Sequence, residues 1–543
     1  MQNTEKLLSI RNLKKYFPIA KTKLFQKEQL YVRANEEISI DIQSGETFGL
    51  VGESGCGKST LGRTILQLYD QTAGSTLYYG RTLEDFAPSY VRELLVNATK
   101  KQAQYKKLQA KADHLTKVVE EAGDNATFFQ HQNKNLAVAE AETAFQYVVK
   151  ILGGFAALSD PTEGARQLLK RFDANVKLCK LNEQVRDLDG EIAFQEAIIH
   201  ELENDETVNN PEKKIASATK KIQTYRAKKE KLLPLIAAAQ LAVDEEDRKL
   251  ADIRAKYADD AAFQEYEKLL DNGIDLSRLK YPEMRILRKD IQIIFQDPYS
   301  SLNPRMTIGQ IIGEGLTTHK FFKPGDPQMK EYILDVMAQC GLQDYMLHRY
   351  PHQFSGGQRQ RICIARALAV KPKFIVCDEC VSALDVSIQS QIINLLEELK
   401  EKEKLTYLFI SHDLSVVRYI SDRIGVMYLG NMVELGTAEE VFSDPRHPYT
   451  VALLSSIPTT DADSANKERI ILEGNIPSPI RPPEGCKFHT RCYMACDKCK
   501  VVPPPYVEVN PGHFVACHFL DKKLDENGNY LFEMPGKKTA EQE

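Results

Sequence analysis

The chain has 543 residues, with 71 Lys and Arg against 76 Asp and Glu, which gives a formal net charge of −5. Apolar residues make up 43% and charged residues 27%, a globular balance that argues against wholesale disorder; the acidic total gives no support to bulk nucleic-acid binding. At roughly 150 residues per domain the length implies three or four domains, and no uncharged run reaches the ~18 apolar residues of a membrane span. The N-terminal MQNTEKLLSIRNLKK lacks the apolar core of a secretion signal. The expectation is a soluble, intracellular chain whose membrane role, if any, needs partners.

Residues 1–85 read as strands and turns. YVRANEEISIDI alternates like a half-buried strand, and TFGLV runs into the glycine-rich GESGCGKST, Gly52–Thr60. The texture then changes. The 190 residues from 91 to 280 hold 6 Gly and 3 Pro out of totals of 29 and 24, and this scarcity of breakers predicts helix. Two stretches carry a heptad register. One runs Ala174, Leu178, Leu181, Val185, Leu188, Ile192, Gln195, Ile199, Leu202. The other runs Ile215, Ala218, Ile222, Tyr225, Lys229, Leu232, Ile236, Ala239, Val243, Glu246, Leu250, Ile253, Tyr257. A polar turn, NDETVNNPEK, separates them, with Pro211 placed to begin the second helix and Pro234 to kink it. Two seams joined by a short turn predict an antiparallel coiled-coil hairpin about 60 Å long, with shorter helices near 91–121 and 133–152 at its base. The alternative is an ordinary helical bundle folded on the main domain.

From 285 to 445, short buried strands such as FIVCDE and TYLFISHD alternate with amphipathic helices, the pattern of a mostly parallel sheet. Beyond 445 the chain is rich in Pro, Cys and His and promises few regular elements, ending in a frayed tail. Five of the 11 cysteines fall between Cys486 and Cys517. These readings divide the chain at 1–88, 89–282, 283–445, 446–520 and 521–543.

The chemistry starts at Gly52–Thr60, whose Gly52, Gly57, Lys58 and Ser59 fit the phosphate loop of a nucleotide triphosphatase. Glycines let backbone N–H groups curl around phosphates, Lys58 reaches the β/γ-phosphates, and the Ser59 hydroxyl ligates Mg²⁺. A buried strand then delivers Asp378 to the Mg²⁺ shell, and Glu379 beside it is suited to polarise the attacking water. In FSGGQRQR, a Ser-Gly-Gly at a helix start offers N–H groups and a hydroxyl to an anion. The chain order is phosphate loop, Gln296 in IIFQD, SGGQ, Asp378–Glu379, SALD at Ser382–Asp385, and His412 in FISHD.

This order resembles the nucleotide-binding domain of ATP-binding cassette (ABC) proteins. DPRHPYTVALLSSIP, GNIPSPIRPPEGCKFHTRC and FQDPYSSLNPRMTIGQII resemble ATPase subunits of oligopeptide/dipeptide permeases, particularly the F-type member of their paired ATPases. The resemblance covers residues 1–85 and 281–520. It implies an α/β fold of the ABC cassette type, with a RecA-like mixed-sheet core, an antiparallel β subdomain and a helical subdomain, interrupted by the hairpin and followed by the Cys/Pro-rich tail. It also implies site roles. Phe17 would stack on adenine, and Ser54, Gly55, Cys56 and Thr60 would complete the loop around the phosphates. Gln296 would sense Mg²⁺ and the γ-phosphate, so Ser59, Gln296 and Asp378 form the Mg²⁺ set, and Glu379, Gln296 and His412 the catalytic one. Ser355, Gly356, Gly357 and Gln358 would reach ATP on an opposite cassette, and Asp385 would link the two sites. Two departures, Phe354 for the usual Leu and Cys380 where Pro is common after Glu379, remove no catalytic group.

The implied partners are a second ABC ATPase, identical or paralogous, two transmembrane permeases and, indirectly, an extracellular peptide-binding protein, with no nucleic acid. The place implied is the cytoplasmic face of the plasma membrane. Cys486, Cys492, Cys499 and Cys517 fit the tail in which some family members hold an iron–sulfur cluster. Four soft thiolates suit [4Fe–4S] or Zn²⁺, and free thiols in a proline-stapled tail are the third option. His489, His513 and His518 read as hydrogen-bonded structural residues. The competing class is a soluble chromosome- or repair-type ABC ATPase with a coiled-coil arm, and the peptide-permease tail and the lack of CxxC at the apex weigh against it.

Overall fold

The computed structural model describes residues 5–21, 28–204, 211–322, 326–457 and 470–520. The chain divides into two units, one made of residues 1–80 and 275–543 and the other of Arg81–Ile274. The helical insertion is thus a unit of its own, and its bounds fall somewhat before the expected 89–282.

The first unit is built on an eight-stranded sheet. Its order is Tyr506–Asn510, His513–Ala516, Asn431–Thr437, Arg423–Tyr428, Thr47–Val51, Thr406–Ile410, Phe374–Asp378, Ile291–Ile294. The last five of these run parallel, and the first three join antiparallel. Thr47–Val51, Phe374–Asp378 and Thr406–Ile410 are buried at every residue, as unbroken apolar runs between helix layers require. A second sheet pairs Lys6–Pro18 antiparallel with Tyr31–Gln43 on one side and Ala73–Tyr78 on the other.

The tail departs from its expected irregularity. Its hairpin, Tyr506–Asn510 and His513–Ala516, extends the central sheet along Asn431–Thr437. The junction is a buried polar cluster. Glu434 and His513 are fully buried 2.9 Å apart, and the Glu434 carboxylate also accepts the backbone N–H groups of Arg446 and His447. A charge with several hydrogen-bond partners is the form in which burial is tolerated. Alternation over so short a hairpin left little sequence signal.

The second unit is helical. Ala98–Ala122 and Phe128–Leu152 pack closely through Ala112, Ala137 and Ala141, whose small side chains let the backbones approach. Thr127 and Gln130 form a capping box at the second of these helices. The two long helices are Thr162–Asn204 and Pro211–Ala255, the latter running on through Pro234. Most of the expected apex turn, residues 205–210, lies outside the described residues. Every described position of the two heptad registers up to Ile199 and from Ile215 to Tyr257 is buried or half-buried. The helices run antiparallel, since rising numbers on one meet falling numbers on the other: Gln167 with Glu246, Asp189 with Lys229, Glu196 with Arg226. The two polar residues in the second seam, Lys229 and Glu246, are therefore each paired across it.

Candidate functional site

The site assembles at the C-terminal tips of the parallel strands, where an α/β sheet opens a crevice. Register places Leu50 beside Ile410, and Ile410 beside Asp378. Three loops leave from these tips: the phosphate loop after Val51, the Asp378–Glu379 turn, and the Ser411–His412 turn. The phosphate loop precedes the other two by more than 300 residues in the sequence, and strand pairing brings them together.

In the phosphate loop Gly52 and Gly57 have φ of 147° and 105°. A Cβ at Gly52 would lie 2.2 Å from the Met427 carbonyl oxygen, and one at Gly57 2.1 Å from that of Ala34, so neither position admits a side chain. The Lys58 ammonium turns back into the loop and donates to the carbonyls of Gly52 at 2.7 Å and Glu53 at 3.2 Å. Helix Lys58–Ile65 starts there and aims its N-terminal N–H groups at the loop. Cys56 is buried behind the loop, where desolvation raises its thiol pKa.

A cavity of about 410 Å³ opens over this loop. Ser54, Gly55 and Gly57–Thr60 line it, together with Phe17, Gln296, Glu379, Leu429, Gly430 and Pro479. The predicted catalytic residues converge: the Glu379 carboxylate accepts a 2.7 Å hydrogen bond from the Gln296 amide and lies 3.6 Å from His412 Nδ1. Glu379 has φ of 48°, in the left-handed region that a non-glycine residue seldom adopts. Its N–H donates to Ile410 at 3.0 Å, which holds that turn against the neighbouring strand. Neither the backbone conformation nor the Arg63 partner of Asp378 was legible in the sequence.

Asp378 is buried, with one carboxylate oxygen 3.1 Å from the Arg63 guanidinium. The other, Oδ1, is buried and has no hydrogen-bond partner among the described residues. Carboxylate, hydroxyl and amide oxygens of the kind carried by Asp378, Ser59 and Gln296 are the hard donors that Mg²⁺ takes. Phe17 meets Tyr69 edge-on at 5.4 Å, and Lys15 stands 4.6 Å from the Phe17 ring centroid. Phe17 contributes an aromatic ring to the cavity lining.

The Ser355–Gln358 group does not line this cavity. Ser355 caps helix Gly356–Leu368 in a reciprocal capping box with Gln358. Asp385, also exposed, caps helix Val386–Glu403. The two caps are neighbours, since a Cβ at Gly357 would meet Ile388 at 2.5 Å. These residues form a surface apart from the chain's own phosphate loop.

Among the described residues no three or more Cys, His, Asp or Glu side chains converge as a metal ion requires. Cys486, Cys492, Cys499 and Cys517 do crowd one another, and burial with that crowding raises Cys486 to about 11 and Cys492 to about 12. Cys499 and Cys517 are buried, and Cys486 and Cys492 half-buried. Cys496 is half-buried and lies 3.6 Å from Cys499, sulfur to sulfur. His489 and His518 meet the carbonyls of Cys486 and Val502, both at 2.8 Å.

Among the described residues no helix is long and apolar enough to cross a membrane. The family model "ABC transporter" matches residues 35–270 and 260–382, and "Oligopeptide/dipeptide transporter, C-terminal region" matches 433–499. The chain is 54% identical over 253 residues to the oligopeptide transport ATP-binding protein AppF of Bacillus subtilis, covering 46% of this chain and 76% of that one. It is 52% identical over 248 residues to OppF of Haemophilus influenzae, also an oligopeptide transport ATP-binding protein, covering 45% and 74%. With a phosphate loop, a strand-borne Asp378–Glu379 and a capped Ser-Gly-Gly-Gln helix on one mixed sheet, and with relatives of this identity, the chain belongs to the ATP-binding subunits of ABC transporters.

Proposed function

We propose that this chain hydrolyses ATP to energise an importer of oligopeptides or dipeptides. The observation that carries the reading is the Glu379 carboxylate, hydrogen-bonded to Gln296 and beside His412, in a cavity floored by the phosphate loop. Lys58 and the helix N-terminus bind the phosphates, and Phe17 supports the base. Ser59, Gln296 and Asp378 would hold Mg²⁺, which would supply charge neutralisation for the phosphates. Glu379 accepts the proton of the attacking water, Gln296 orients that carboxylate, and His412 holds the γ-phosphate by donating to it.

The Ser355–Gln358 helix start and Asp385 take the role that the family resemblance implies, reaching the ATP of a second cassette, and their position outside this cavity supports that reading. The working form is then a pair of cassettes closing over two nucleotides. Such a pair docks on two transmembrane permeases at the cytoplasmic face of the membrane and receives peptides through an extracellular binding protein; support for this comes from the relatives' names and the match at 433–499. The unit Arg81–Ile274 is a coiled-coil hairpin that contacts protein rather than nucleotide; its paired seam supports the hairpin. The crowding of Cys486, Cys492, Cys499 and Cys517 supports a soft-metal site, [4Fe–4S] or Zn²⁺, formed after side-chain rotation; iron and zinc analysis of anaerobically purified protein tests it. The central test is purification from membranes. Two permeases and ATP hydrolysis that rises with added peptide and binding protein are expected, and a chain recovered without permeases overturns the reading.

A further inference from the structure

The C-terminal tail reaches the phosphate loop. Arg491 grips the Glu53 carboxylate with two hydrogen bonds of 2.7 and 3.0 Å, and Glu53 is the second residue of that loop. Only 6% of the Arg491 side chain is exposed. Glu53 is held at two further points. Its N–H donates to the Tyr449 hydroxyl at 2.8 Å, and its carbonyl accepts from Lys58 at 3.2 Å. The Arg491 contact thus bears on the same residue that helps hold the phosphate-binding lysine.

The segment is anchored so that this contact is fixed. Phe488, fully buried, sits in an aromatic cluster with Tyr428 at 5.1 Å and Tyr449 at 5.3 Å. On its other flank Lys487 donates to Glu36 at 2.7 Å and to the carbonyl of Leu429, a cavity residue, at 3.3 Å. Upstream, the Pro479 carbonyl accepts the Arg33 N–H at 3.1 Å, and Pro479 itself lines the cavity.

We propose that Arg491 is a positioning residue for the phosphate loop, acting through Glu53, and that Pro479–Arg491 is a working wall of the nucleotide site. A bidentate guanidinium–carboxylate pair fixes direction as well as distance, which a packing contact does not. The inference rests on reading Gly52–Thr60 as the nucleotide site.

The test uses the full chain and its hydrolysing complex, with binding of a fluorescent trinitrophenyl-ATP and steady-state hydrolysis as readouts. Arg491→Ala is expected to raise Kd and KM for ATP on the order of tenfold, with kcat within about twofold, the loss of about one charged hydrogen bond's worth of orientation. Arg491→Lys recovers part of the affinity, because charge returns without the fork. Glu53→Ala has the same effect as Arg491→Ala, and the double substitution is no worse than either. A lowered thermal midpoint with unchanged Kd and KM in Arg491→Ala, or additive effects in the double variant, overturns the proposal. If the unaltered chain binds no trinitrophenyl-ATP, the nucleotide-site reading falls first and this one with it.

Discussion

The phosphate-loop region and the helical unit are stabilised in opposite ways. In the unit Arg81–Ile274 the pairing is repetitive: a 3.5-residue seam recurs along two helices, and each charged lapse, Lys229 and Glu246, meets its partner directly across. No single residue there decides much. At the loop, each residue has a separate task. Gly52 and Gly57 allow close backbone approach, Lys58 is caught by two carbonyls, Glu379 is held in an unfavourable φ, and Asp378 is half paired and half free. Distributed pairing tolerates change, while a site of single-purpose residues does not. The expected outcomes below test that contrast, from the largest effect to the smallest.

Glu379→Gln should cost the most. Loss of the carboxylate that takes the water's proton is expected to lower kcat by at least about 10²–10⁴-fold while ATP binding persists. Hydrolysis and nucleotide binding measured on one purified complex check this, and normal turnover would place the base elsewhere. Removing Mg²⁺ with a chelator should stop hydrolysis to a similar extent and be reversed by adding it back.

Lys58→Ala should act on binding. The ammonium compensates phosphate charge, so its loss is expected to raise Kd for ATP at least tenfold, readable by fluorescence titration. An unchanged Kd would mean that the loop's backbone N–H groups suffice.

A pH experiment probes the wall beside the loop. Burial pushes Glu36 up, but the Lys487 ammonium at 2.7 Å, with the Tyr16 hydroxyl and Arg33, outweighs it and holds the carboxyl at about 2. Since the folded value lies below the unfolded one of about 4.5, the stabilisation is present above pH about 4.5 and is lost as pH falls toward 2. The pair contributes on the order of 3 kcal/mol. Denaturant midpoints between pH 6 and 3 should fall more steeply for the unaltered chain than for Glu36→Gln. Equal slopes would remove this pair from the acid response.

The helical unit should show the smallest effects. Lys229→Ala removes a half-exposed pair with Asp189 and is expected to cost about 0.5 kcal/mol or less by thermal melting. Replacing Arg81–Ile274 by a short linker between Gly80 and Asp275 should leave Kd for ATP within about twofold. The turn Leu276–Arg278 packs beside Ala73–Tyr78, so the cut ends are already neighbours. Loss of nucleotide binding in that variant would make the unit part of the cassette core.

How much of this was legible follows from the range of each interaction. The phosphate loop, the Asp378–Glu379 strand end, the Ser355 cap and the heptad seams are local patterns. Their physics, from φ-permissive glycine to helical period, acts within about ten residues and leaves a mark in any window of that size. What brings Gln296, Glu379 and His412 together is the parallel order of Ile291–Ile294, Phe374–Asp378 and Thr406–Ile410. The resemblance implied it, and no window of sequence could show it.

The tail was misjudged for the same reason. Glu53 and Arg491 stand 438 residues apart, and nothing near either one marks the other as its partner. Four cysteines in one stretch suggested a ligand set, but whether thiols converge depends on side-chain directions that spacing does not carry. The amino-acid sequence by itself determined which residues could bind phosphate, polarise water or line a helical seam, because those capacities are properties of side chains and their near neighbours. Only the tertiary structure decided that the C-terminal hairpin would complete the sheet and that Arg491 would brace the phosphate loop, because burying Glu434 with His513 and pairing Arg491 with Glu53 are favourable only once distant segments already share an interior.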